Sequence, residues 1–150
     1  SIDDHGLLGF IMEQFQLTGL PPGRICFEIT ETAAISDIDA ARVFIQVLKD
    51  FGCKFALDDF GSGHSSFLYL RDLPVDYLKI EGNLVREINC DPVSLAFVRS
   101  IDDIGKIMSK LTIAEYVESA QVLETLVEIG VDFAQGYHIG RPEPLSRLLA

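Results

Sequence analysis

Apolar residues recur along this chain in two rhythms, one helical and one short and continuous, and the two take turns. Leu7, Leu8, Ile11 and Phe15 stand at helical spacing, and the run Gly19, Leu20, Pro21, Pro22, Gly23 stops that helix with two prolines between two glycines. Ile25 to Ile29 reads as a short, mostly apolar strand. Ser36 is placed as the N-cap of a helix whose Ala40, Phe44, Val47, Leu48 and Phe51 make one apolar stripe, with Gly52 in the position of a C-terminal glycine. Lys54 to Asp58 reads as a strand, Phe67 to Leu70 as a short helix and Tyr77 to Ile80 as a strand again. Asp91 and Pro92 open a long helix carrying Val93, Phe97, Ile101, Ile104 and Met108. Leu111 to Glu115 is the fourth strand. Ser119 caps a helix bearing Val122, Leu123, Leu126 and Ile129, Gly130 closes it, and Phe133 to Tyr137 is the fifth strand.

Helices between successive strands imply an α/β fold with parallel pairing and right-handed crossovers. The polar residues interrupt this pattern at one recurrent place, the strand end: Glu28 and Glu31, then Asp58 and Asp59, then Lys79, then Glu115, then Gln135. In parallel α/β folds the C-terminal strand edge is where sites are built, so these residues are expected to converge there. Adjacent strand residues point to opposite faces, so Asp58 and Asp59 reach one centre only if the backbone turns at that point. The loop Gly61, Ser62, Gly63 follows at once, and Asp, Gly and Ser are also ordinary turn formers.

Composition narrows the chemistry. The 150 residues are 48% hydrophobic, enough for one domain with a core, and 23 acidic against 12 basic residues give a net charge of −11. That balance argues against a grip on a nucleic acid polymer. Cys26, Cys53 and Cys90 form no C-x-x-C pair and are read as reduced thiols. No apolar run approaches the ~20 residues of a membrane span, so a cytoplasmic chain without direct membrane insertion is expected.

Glu28, Asp58 and Asp59, with Glu115 able to complete the set, supply oxygen ligands for one or two hard cations such as Mg²⁺ or Mn²⁺. Two metals ~4 Å apart would flank a phosphodiester, which points to phosphate-ester hydrolysis. Lys79 is suited to holding hydroxide or to offsetting charge on phosphate, and equally to an ion pair with Asp58 or Glu81. Gln135 can orient water. Glu31 is placed either near the metal or on the glycine loop. His5, His64 and His138 have no ligand partner at zinc spacing and are read as surface or loop residues.

Together these residues resemble the EAL domain family, which hydrolyses the bacterial second messenger cyclic di-GMP to linear pGpG. The resemblance rests on Phe27, Glu28, Glu31 and Thr32; on Asp58, Asp59, Phe60, Gly61, Ser62, Gly63, His64, Ser65 and Ser66; on Leu78, Lys79 and Ile80; on Ala114, Glu115, Tyr116, Val117 and Glu118; and on Gln135, Gly136 and Tyr137. It implies a TIM-type barrel, here an incomplete one of about five βα units over residues 1–150, with two Mg²⁺ or Mn²⁺ ions and often a homodimer. It implies Glu28, Asp58 and Asp59 as metal ligands, Lys79 and Gln135 around the catalytic water, and Glu115 as a metal or base residue. Glu31 maps to the glutamate that steadies the glycine loop, and Glu118 to one supporting its own loop. The Glu-Ala-Leu motif and a metal-ligating asparagine are expected upstream of Ser1, as are a sensor or GGDEF-type domain and any tether to the inner membrane. Tyr116 stands where the family usually has Gly, and Glu81 where it usually has Asp. An inactive EAL-type module that binds cyclic di-GMP or a protein partner is the alternative. A receiver-like domain with a phosphorylated aspartate ranks below both.

Overall fold

The computed structural model describes residues 5–62 and 67–148. Side-chain caps set the helix starts. Helix α1 (His5–Thr18) leads through a 3-10 turn at Pro22–Arg24 into strand β1 (Cys26–Thr30). Thr30 caps α2 (Glu31–Ser36), and Asp37, not Ser36, caps α3 (Ile38–Asp50): its carboxylate accepts from Ala40 N at 2.9 Å, while the Ser36 hydroxyl donates back to Ala33 O. Strand β2 (Lys54–Phe60) runs two residues past the expected end, and the helix expected at Phe67 is a 3-10 turn over Leu68–Arg71. Strand β3 (Tyr77–Ile80) is followed by a short helix α4 (Gly82–Glu87), capped by the Glu81 carboxylate. Helix α5 (Pro92–Ile107), capped by Asp91, leads to β4 (Leu111–Ala114); α6 (Ala120–Ile129), capped by Ser119, leads to β5 (Phe133–Ala134); and α7 spans Leu145–Leu148.

All five strands are parallel, in the order β1-β2-β3-β4-β5. Each strand pairs with the next in sequence, as in a barrel wall, whereas a receiver-like sheet reverses its order at a switch point. The order therefore excludes the receiver-like alternative.

Strand alternation gives the sheet two unlike faces. Phe55 meets Phe44 of α3 edge-on, Thr112 donates to Asp102 of α5, and Leu57, Leu78, Ile80 and Ala114 share that parity and are buried. This is the helix-covered core, closed by Ile45, Leu48, Val98 and Ile101. Glu28, Asp58, Lys79 and Glu115 have the opposite parity, so they lie on the face away from the helices, near its C-terminal edge. At the other edge Asp76 ties the strands together by accepting from Phe55 N and Lys49 Nζ, each at 2.9 Å.

Candidate metal and phosphate site

A β-bulge brings the two adjacent aspartates together. Leu57 pairs with Leu78 and Phe60 with Ile80, so two residues of β2, Asp58 and Asp59, stand opposite one residue of β3, Lys79. Asp59 absorbs the extra residue by adopting φ 56°, a left-handed conformation that Asp tolerates better than most side chains. The bulge resets the alternation, returning Phe60 to the core while leaving both carboxylates on the site side. The backbone thus turns where the sequence requires it to, inside the strand rather than beyond its end.

Lys79 is the hub. Its ammonium, on a side chain 5% exposed, lies 2.9 Å from Glu28 Oε2, 2.9 Å from Glu115 Oε1 and 3.1 Å from Asp58 Oδ1. Burial alone would lower its pKa, but the contacts with Glu28, Glu115 and Asp58 outweigh burial and raise it, so Lys79 is cationic at neutral pH. Glu81, the other partner considered for Lys79, is spent on capping α4. Burial first, and then the charges of Asp58 and Asp59, push the Glu115 carboxyl above its ordinary value against the pull of Lys79.

Asp58, Asp59 and Glu115 each present a carboxylate oxygen, and these atoms lie within 4.8 Å of one another. Asp58 Oδ1 is buried without a hydrogen-bond partner among the described residues; its 3.1 Å contact with Lys79 is a charge contact, not a directed bond. With Lys79 as its only charge partner among the described residues, this oxygen keeps lone-pair capacity that a hard divalent cation is suited to fill. The donor set therefore fits such an ion. Glu28 pairs with Lys79 at 2.9 Å, its side chain half-exposed, outside that group of three.

Glu31 is buried. Its Oε2 accepts from Gly61 N at 3.3 Å, and its Oε1 accepts from the Tyr69 hydroxyl, so the first turn of α2 is tied to the start of the glycine loop. Burial and the bond to Glu31 raise the Tyr69 pKa, keeping it a donor. Ser62 N donates to Asp59 O at 3.2 Å, while Gly63 and His64 lie outside the described residues.

Beside this cluster opens a cleft of about 600 Å³, lined by Glu115, Gln135, Tyr116, Glu118, Arg86 and the segment from Gly136 to Pro142. Gln135 lies past the end of β5, not within it. Its N–H still donates to Ala114 O, but Gly136 then crosses Val117 so closely that a Cβ would sit 2.3 Å from the Val117 N and O. Glu118 pairs with Arg86 of α4 at 3.0 Å. Tyr69 and Arg86 carry no site signal in the sequence, whereas Gly136 stands directly after a strand-end polar residue; Tyr69 and Arg86 reach the candidate site only through contacts with Glu31 and Glu118, 38 and 32 residues away.

A family model described as "EAL domain" matches residues 1–142. The cyclic di-GMP phosphodiesterase PdeB of Shewanella oneidensis is 43% identical over 146 residues, 97% of this chain and 17% of that protein. Cyclic di-GMP phosphodiesterase PdeA of Borreliella burgdorferi is 37% identical over 136 residues, 91% of this chain and 20% of that protein. The chain thus spans a fifth or less of the length of these relatives. Among solved structures, the PaMucR phosphodiesterase in complex with c-di-GMP superposes with a TM-score of 0.93 at 33% identity, covering 98% of this chain and 60% of that one. The EAL domain of Mycobacterium smegmatis DcpA gives 0.89 at 33% identity, covering 97% and 66%. The five-stranded wall described above is therefore part of a TIM-barrel-like α/β fold, and the chain belongs to the EAL domain family.

Proposed function

We propose that this chain carries the metal and phosphate half of a cyclic di-GMP phosphodiesterase, opening one phosphodiester bond with water to give linear pGpG. We read residues 1–150 as the C-terminal part of that domain. The observation that carries the proposal is the convergence of Asp58, Asp59 and Glu115, whose carboxylate oxygens lie within 4.8 Å of one another, with a buried Asp58 oxygen that takes no directed hydrogen bond and Lys79 as the adjoining cation. The names of the relatives and the bound nucleotide of PaMucR support the choice of substrate.

Asp58, Asp59 and Glu115 would hold the cation, Mg²⁺ or Mn²⁺, with Glu28 joining when Lys79 releases it. When bound, such an ion supplies charge neutralisation and activation of water. Glu115, whose proton affinity is raised by burial and by its acidic neighbours, is matched to taking a proton from the attacking water. Lys79 stands beside the same oxygens and offsets negative charge gathering on the phosphate. Gln135, lining the adjoining cleft, orients water or substrate without exchanging protons. Glu31 holds the Gly61 backbone in place.

The test is pGpG formation in Mn²⁺ by the intact protein that carries this sequence, beside its Asp58→Asn variant. Turnover lost in the variant is expected. An intact protein that binds Mn²⁺ and cyclic di-GMP yet forms no pGpG would overturn the hydrolase and leave a nucleotide-binding module.

A further inference from the structure

Tyr116 occupies a position that its backbone disfavours. It follows Glu115 directly, has φ 51° and is 52% exposed, so a large ring is displayed from a left-handed residue where glycine would be unstrained. The ring rests on α4. Gly82 offers a seat with no side chain, since a Cβ there would come within 1.5 Å of the ring, and Arg86 one turn later places its guanidinium 4.5 Å from the ring centroid. Arg86 also pairs with Glu118 at 3.0 Å. Ring, guanidinium and carboxylate all line the cleft that opens beside Glu115 and Gln135.

An exposed aromatic ring braced by a guanidinium is the chemistry on which nucleobases stack, and it lines the same cleft as Glu115, one of the carboxylates that would hold the cation. We propose that Tyr116 is a specificity residue that stacks a purine base of the nucleotide, held at the correct tilt by Gly82 and by the Arg86–Glu118 pair. The proposal rests on the nucleotide reading of the site above. It adds that this chain discriminates by base through a residue outside the phosphate machinery. Arg86 and Glu118 are positioning residues, acting through the ring.

The experiment is equilibrium binding of GMP and of UMP, which carry the same phosphate, and of cyclic di-GMP, to the intact protein that carries this sequence and to its Tyr116→Leu, Tyr116→Phe and Tyr116→Gly variants in the presence of Ca²⁺. Tyr116→Gly removes the ring while relieving the backbone, so the fold is retained in at least one ring-less variant, as its thermal midpoint will show. Wild type is expected to prefer GMP. Loss of the ring should weaken GMP about tenfold, in the range of one base–aromatic stack, and UMP much less, while Phe restores the preference. Equal weakening of GMP and UMP, or no weakening, overturns the proposal. Cyclic di-GMP binding that ignores Tyr116 leaves the phosphodiesterase reading standing and removes this one. A Tyr116-dependent preference for GMP without any cyclic di-GMP binding does the reverse, and a wild type that binds no nucleotide removes both.

Discussion

At the scale of single residues, the site is an imbalance of charge held in place by burial. Glu28, Asp58, Asp59 and Glu115 face one ammonium, and that ammonium touches three of them. Lys79→Met leaves those carboxylates mutually repelling in a partly desolvated place, and the metal-free protein should lose stability on the order of 2 kcal/mol. Mn²⁺ should then raise the thermal midpoint of the variant more than that of the wild type. Equal shifts in a chelator-against-Mn²⁺ comparison would mean that Lys79 does not share the cation's place. Asp76, far from this cluster, gives an acid-sensitive contact of ordinary sign. Burial would raise its pKa, but the hydrogen bond from Lys49, the Phe55 N–H and the charges of Lys49 and Lys54 together lower it. A carboxyl with a folded pKa below its unfolded value contributes stability that is complete above the unfolded value, about 4, and disappears as pH falls through the lower folded one. Urea unfolding of Asp76→Asn should therefore show a flatter acid limb than the wild type below about pH 4, and parallel limbs would sink the assignment.

At the scale of elements, helices α3, α5 and α6 are legible because each carries an apolar stripe over ten or more residues, and the caps Asp91 and Ser119 of α5 and α6 are legible with them, whereas the α3 cap is Asp37, one residue past Ser36. Helices α2 and α4 were not legible. Six residues are too short to display a helical period, and Thr30 and Glu81 reveal their capping role only once the turn is formed. The strand-end polar residues were legible as a series, whereas the bulge that aims two of them was hidden, since pairing register is a property of two strands and not of one. The end of α5 shows the same dependence. Ser109 N donates to Lys106 O at 3.2 Å and Lys110 N to Gly105 O at 2.8 Å, the paired closure of a helix end that puts Ser109 at φ 56°. Ser109→Gly should stabilise the protein by about 0.5–1 kcal/mol, read as a raised midpoint in urea at unchanged slope. The strap from Gln135 to Gly140 is bound to Val117 at both its N–H and its carbonyl, and Gly136 makes that approach possible. Gly136→Ala should cost about 2–4 kcal/mol and expose the Val117 amide to rapid hydrogen exchange; slow exchange there would show that the strap gives way without detaching.

At the scale of the molecule, a parallel sheet is normally covered on both faces and closed or protected at its edges. In this chain helices cover one face, and β1 and β5 have no further strand partner among the described residues. The other face combines the charged cluster with Phe133, 50% exposed, which meets the ring of Tyr77 edge-on. Unpaired strand edges and an uncovered apolar ring favour association, while a net charge of −11 opposes it. These two tendencies separate with salt: screening weakens the repulsion and leaves backbone pairing and apolar contact untouched. The 150-residue chain alone should therefore sediment as a larger species in high salt than in low salt, more so as concentration rises. On the proposal that residues 1–150 are the C-terminal part of the domain, cyclic di-GMP turnover by the chain alone should lie well below that of the intact protein, because among the described residues the wall is unclosed at β1 and β5 and leaves Glu28 half-exposed. Sedimentation as a monomer at every salt concentration, together with turnover equal to that of the intact protein, would show that these five strands form a protected and catalytically sufficient unit.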